Sequence, residues 1–218
     1  MTIWRWAALA GLGVLAIATG FGMIPGIEAC GLPGEPILEF EFVRSTADVL
    51  SRFPEYCRDV HLEAQENGLW LDALAFIPTY SAFLILTLIG LEREGGFAER
   101  LAGPAILLVL AAACADQFEG TQLFGILGHL PGTQEIIDRL TPAVYLKFAL
   151  LSVATFAIGA FHLNRASWRK LPGAFIALAS IGSLYGLFFD RGTMGLANLL
   201  GWSAVLIANI AMSFRKTA

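Results

Sequence analysis

Six windows of about twenty mostly apolar residues, bounded by charge or by Gly and Pro, leave this chain few ways to fold. They run approximately from Trp6 to Ile24, Leu69 to Leu91, Ala102 to Leu127, Ala143 to Leu163, Leu171 to Phe189 and Thr193 to Phe214. A helix rising 1.5 Å per residue needs roughly 20 such residues to cross about 30 Å of hydrocarbon. Within lipid, only a helix or a closed barrel satisfies its own backbone. The pattern predicts an all-α polytopic membrane protein, with six transmembrane helices in a single domain over residues 1–218. Composition agrees: 15% of the residues are charged and mean hydropathy is +0.67, against about 25% charged in ordinary soluble domains.

Orientation follows from Lys and Arg. With both termini cytoplasmic, Arg5, Arg93, Arg100, Arg165, Arg169, Lys170, Arg215 and Lys216 fall inside, while Arg44, Arg52, Arg58, Arg139 and Arg191 fall outside. Arg5, the apolar run and "AIA" at Ala16–Ala18 also have the outline of a cleaved secretory signal, but the run to Ile24 exceeds a typical signal core and favours a retained span. The excess of Arg over Lys points toward a bacterial inner membrane. Basic residues form no stripe that would track a phosphate backbone, so nucleic acid is not an expected partner. The expected partners are membrane lipids, a small amphiphile or other membrane subunits.

Residues 25–68 form a long extracytoplasmic loop, too long for a bare connection and predicted to hold short amphipathic helices. "STAD" at Ser45–Asp48 reads as a helix-starting box, with Val49, Leu50 and Phe53 on one side of a short helix that Pro54 stops. A second helical stretch is expected to end near Glu66. Cys30 and Cys57 share this loop on the side assigned to the oxidising compartment, which predicts a disulfide between them.

The third window poses the sharpest question. Leu101 to Ala115 covers only roughly 22 Å, so that helix must take Asp116 and Glu119 into the membrane or fail to cross. Charged groups at bilayer depth cost about 2.5–3.5 kcal/mol each on insertion scales and usually face a protein interior. Asp72, Asp116, Glu119 and Lys147 all fall in the loop-side half of their spans. Asp116 and Glu119 share a helix face at i, i+3, and Asp72, Phe76, Thr79 and Tyr80 follow one 3.6-residue stripe, with Pro78 expected to interrupt the helix. Asn198 lies on a one-sided stripe of the sixth span.

These residues predict an outward-facing acidic pocket that binds or processes a lipid or amphiphilic small molecule by acid–base chemistry. Asp116 and Glu119 would serve as acid and base, Lys147 would orient or neutralise an anionic group, and Tyr80 would donate a hydrogen bond. Asp72, Thr79 and Asn198 would line the binding surface. Three carboxylates against one ammonium should keep at least one proton. The same residues also fit a proton- or cation-coupled carrier, or a non-catalytic subunit of a larger membrane complex whose carboxylates are closed off by salt bridges. A plainer alternative pairs Lys147 with a single carboxylate and leaves Asp72 as a charged helix end. His61, His129 and His162 are scattered, so no metal site is expected, and no motif calls for a cofactor.

Overall fold

The computed structural model describes residues 2–165 and 167–214, which are helical with no strand among them. The carboxy-terminal Arg215 and Lys216, counted above as cytoplasmic charges, lie outside the described residues. The helices are α1 (Ile3–Phe21), α2 (Pro36–Glu41), α3 (Thr46–Arg52), α4 (Arg58–Leu71), a π-helical turn (Asp72–Phe76), α5 (Ile77–Glu92), α6 (Phe97–Gly128), α7 (Gln134–Leu163), α8 (Ser167–Phe189) and α9 (Arg191–Ser213). Six helical segments are long and apolar enough to cross a membrane, with α4, the π turn and α5 counting as one. Large apolar side chains stand exposed along them, including Leu107, Leu178, Leu196 and Ile207, each more than half exposed. In water such a surface would aggregate; in lipid it needs no cover.

The spans outrun the hydropathy windows. The α4–α5 segment has 35 residues, α6 has 32 and α7 has 30; at 1.5 Å per residue the first is about 50 Å long, well beyond the hydrocarbon thickness. The second loop helix expected to stop near Glu66 is therefore not separate. It begins at Arg58 and runs on into the span, its polar turns carrying Asp59, Glu63 and Glu66. Hydropathy missed the join because those turns are polar while the backbone stays helical.

The chain divides into two compact units, one of Met1–Val14, Thr79–Ala112 and Phe148–Ala218, the other of Leu15–Pro78 and Ala113–Lys147. In the first, glycine lets backbones approach. A Cβ on Gly159 would sit 2.7 Å from the Ala177 backbone nitrogen and 2.9 Å from the Gly173 carbonyl oxygen, so α7 and α8 meet main chain to main chain. Gly186 of the GxxxG pair of α8 meets the Met194 backbone of α9 in the same way, while a Cβ on Gly182 would make only ordinary contact with the Ala197 side chain at 3.4 Å. Buried hydroxyls and amides pair across helices: Ser152 with Ser183 at 3.0 Å, Asn209 Nδ2 donating to Thr87 Oγ1 at 2.7 Å, and Trp202 Nε1 to Thr155 Oγ1 at 3.3 Å.

The second unit holds the long loop and the helix segments beneath it. The Cys30–Cys57 disulfide is present, with Cα atoms 5.4 Å apart. Ser45 caps α3 by accepting from the Asp48 backbone N–H at 3.1 Å, and Asp48 reaches back to the N–H of Arg44 at 2.9 Å. That is the capping logic read from "STAD", displaced by one residue on the return bond.

Pro78 does not break its helix. The Ile77 N–H donates to the Asp72 carbonyl, an i→i+5 register, and the next bond in that register would need an N–H on Pro78. Proline has none, so the Ala73 carbonyl loses its helical donor. Gln117 Nε2 on α6 supplies one at 2.9 Å. Gln117→Leu should cost about 1–2 kcal/mol by stranding that carbonyl, measured by denaturant titration in detergent, and Pro78→Ala should recover most of the loss by restoring a backbone donor. An undiminished cost in the double variant would mean that Gln117 stabilises by some other route.

A second expectation concerns the α7–α8 approach. Gly159→Ala should lower stability by about 1–3 kcal/mol because the opposing atoms are backbone. Gly195→Ala, where a Cβ meets nothing within 4 Å, should stay within about 0.5 kcal/mol of wild type in the same titration.

Candidate functional site

Lys147 rises from α7 into the second unit and carries three N–H donors on its ammonium, each of which finds a carboxylate. The Nζ atom donates to Glu119 Oε1 at 2.8 Å, Asp116 Oδ1 at 2.9 Å and Glu41 Oε2 at 3.0 Å. The lysine, Asp116 and Glu119 side chains are each at most 6% exposed, and Glu41 is 12% exposed. Asp72, partly exposed at the head of the π turn, interacts electrostatically with Asp116, Lys147 and Glu41. One cation thus serves three bonded carboxylates and a fourth nearby.

The α6 pair meets Lys147 because i, i+3 spacing puts both side chains on the side facing α7. Glu41 arrives differently. It ends α2 within Phe40-Glu41-Phe42-Val43, where all three apolar neighbours are at most 3% exposed. Arg44 then fastens the segment to α7, donating from Nη2 to the Tyr145 hydroxyl at 2.5 Å and lying 4.8 Å from that ring's centroid. Phe42 meets the same tyrosine edge-on, and Gln134 donates to the Arg44 carbonyl. Arg52 pairs with Glu39 at 2.7 Å across α2 and α3. The disulfide ties residues 30 and 57, on either side of this whole segment, to each other.

Electrostatically the cluster is unbalanced. If every carboxyl were ionised, the three bonded to Lys147 would leave two uncompensated negative charges in a poorly solvated site. Glu41, which lies outside the spans, shows the outcome. Burial, with Asp116's negative charge adding to it, pushes its carboxyl above the usual value despite the opposing pull of Lys147. Glu119 carries a further sign of the imbalance, since its Oε1 is bonded to Lys147 while its buried Oε2 has no hydrogen-bond partner.

Asp116, Glu119 and Lys147, expected in one pocket, are joined by direct hydrogen bonds, and Asp72 lies within electrostatic reach. Tyr80, Thr79 and Asn198 belong to the other compact unit. There Tyr80 is fully buried with its ring 5.6 Å from that of Trp202, Thr79 borders Gly13, and Asn198 is partly exposed on α9. The stripe linking Asp72 to Tyr80 assumed 3.6 residues per turn throughout, whereas the π turn shifts the phase between them. Glu41 was not among the expected site residues. A carboxylate enclosed in Phe40, Phe42 and Val43 was the available signal, masked by its place in a loop rich in acidic residues.

The first unit contains another buried polar group. Arg169, only 3% exposed although counted as a loop charge, donates from Nε to His162 Nδ1 at 3.0 Å and pairs with Glu94, which Arg165 also approaches at 3.8 Å. Glu94 serves both arginines, so this group carries one positive charge in excess, against the two negative charges left over around Lys147. Among the described residues, no three His, Cys, Asp or Glu side chains are placed to hold a metal ion. Lys147 stands at the centre where a cation would be. No family model, no curated protein and no solved structure matches the chain.

The imbalance has a thermodynamic signature. Lys147→Met should cost about 3–5 kcal/mol at neutral pH by leaving the carboxylates without their cation. Glu119→Gln should cost less than about 1 kcal/mol, because a neutral amide oxygen can still accept from Lys147 and the cation stays with its other carboxylates. Equal costs in detergent-denaturation measurements would mean that charge in the cluster is balanced.

Proposed function

We propose that this multi-pass membrane protein binds a lipid or amphiphilic small molecule at the Lys147 cluster and handles it by proton exchange. The carrying observation is one saturated ammonium facing three carboxylates, with an acceptor of Glu119 left over. Lys147 has no donor to spare for an anionic group, so its role is to hold the carboxylates in place. Glu119, whose second oxygen has no donor, exchanges the proton, with Asp116, Glu41 and Asp72 raising the local negative potential.

Salt bridges closing off the carboxylates would suit a purely structural subunit if the charges matched. The unmatched charge favours a site that takes up and gives back a proton, the property required of a general acid–base pair and of a coupled carrier alike. The disulfide supports placing this side of the molecule in an oxidising compartment such as the bacterial periplasm, since such bonds persist there. The amphiphile follows from setting: the helices that carry Glu119, Lys147 and Asp72 also carry Phe118, Leu146 and Leu74, each more than 45% exposed, so a ligand of the cluster has apolar surface on the same helices.

The test is potentiometric. Purified protein in phosphatidylcholine nanodiscs should take up about one more proton between pH 9 and pH 5 than Glu119→Gln, with both folded by circular dichroism. Identical uptake by wild type and variant would overturn the proposal.

A further inference from the structure

Resting on that reading, we infer that the ligand at the Lys147 cluster is a lipophilic amine whose protonated nitrogen bonds the free oxygen of Glu119 and displaces the proton held there. The cluster already shows what it accepts. Lys147 is a primary ammonium on an aliphatic stem, held by three N–H to carboxylate bonds of 2.8–3.0 Å. A free amine on an apolar chain presents the same chemistry.

One acceptor is unused. Glu119 is 2% exposed, its Oε1 is on Lys147, its side chain also lies within hydrogen-bonding reach of Glu41, and its Oε2 is buried with no donor. In a site this dry, such an oxygen takes either a proton or a donor from a ligand. Lys147, Glu41 and Asp116 act on Glu119 directly, and Asp72 acts on those three, so four carboxylates surround one resident cation. A second cation reduces the imbalance, whereas an anion increases it. The acceptor asks for an N–H, which a primary or secondary ammonium has and a quaternary one lacks.

Glu41 and Asp72 are the partly exposed members, so the cluster can be reached from their side. Leu74, Phe118 and Leu146 are exposed on the helical segments that carry Asp72, Glu119 and Lys147, which gives an apolar tail a surface of the same segments to lie along. The exchange balances: the incoming ammonium keeps all its hydrogens, the Glu119 carboxyl gives up one proton to water, and the new ion pair replaces the O–H bond. No bond to carbon changes.

Hexylamine and hexyltrimethylammonium separate this inference from the one it rests on. Each is titrated into wild-type protein in phosphatidylcholine nanodiscs by calorimetry, with empty nanodiscs subtracted and proton release followed by an indicator dye. Hexylamine should bind with release of up to one proton, and its affinity should rise up to tenfold per pH unit while Glu119 is protonated. Hexyltrimethylammonium should bind at least tenfold more weakly, and Glu119→Gln should abolish the proton release. Asp72→Asn, which leaves the Lys147 hydrogen bonds intact, should weaken hexylamine severalfold while keeping the release, and stands in should Glu119→Gln fail to fold. Equal affinity for the two cations, or hexylamine binding without proton release, overturns the inference. Should neither cation bind while wild type still takes up the additional proton between pH 9 and pH 5, the amine is wrong and proton exchange stands. Without that uptake, both readings fall.

Discussion

Three hydrogen bonds from one ammonium organise the loop-bearing unit of this protein. Lys147 draws α6, α7 and the end of α2 to a single point, and each carboxylate it binds would be costly at that depth without it. The surrounding arrangement serves that convergence. Arg44, Phe42 and Tyr145 seat the α2 segment on α7, Gln117 fastens α6 to the π turn, and the disulfide fixes the frame in which Glu41 sits. Such a centre holds more negative than positive charge, and the neutral form of a carboxyl costs less to bury than the charged form.

The other unit solves a different problem by different means. The charge excess there is smaller and of opposite sign, with two arginines sharing Glu94, and its helices are held by close backbone approach at Gly159, Gly173 and Gly186 and by short polar links such as Asn209 to Thr87. Lipid tails are as apolar as leucine, so burying leucine brings little gain, and small residues with shared hydrogen bonds carry the association. Close backbone packing in one unit and a buried charge cluster in the other are two different means of holding helices together.

Much of this was legible in the sequence for physical reasons. Length and hydropathy announce six spans because the bilayer imposes a minimum run, and the shortfall of Leu101–Ala115 forced Asp116 and Glu119 into the third helix. The cysteines announced their bond by sharing one loop. Where the reading fell short, a local rule was applied past its range. Hydropathy cannot follow a helix beyond the membrane, so the continuity of α4 with α5 was invisible. The Asp72–Tyr80 stripe assumed a constant number of residues per turn, and the π turn between them departs from it. Glu41 was hidden by tertiary structure, since nothing local distinguishes it from the other loop carboxylates except the aromatic residues on either side.

The position of Lys147 on α7, rather than on α6 beside its partners, bears on how the protein is made. When α6 leaves the ribosome, its two carboxylates have no counterion, because the lysine lies 28 residues beyond Glu119. Entering lipid alone, that helix would carry both desolvation penalties at once. Joined to α7 through the short connection between Gly128 and Gln134, it enters as a hairpin that brings its own cation. Insertion in pairs, rather than helix by helix, is the route of lower free energy for this stretch of the chain.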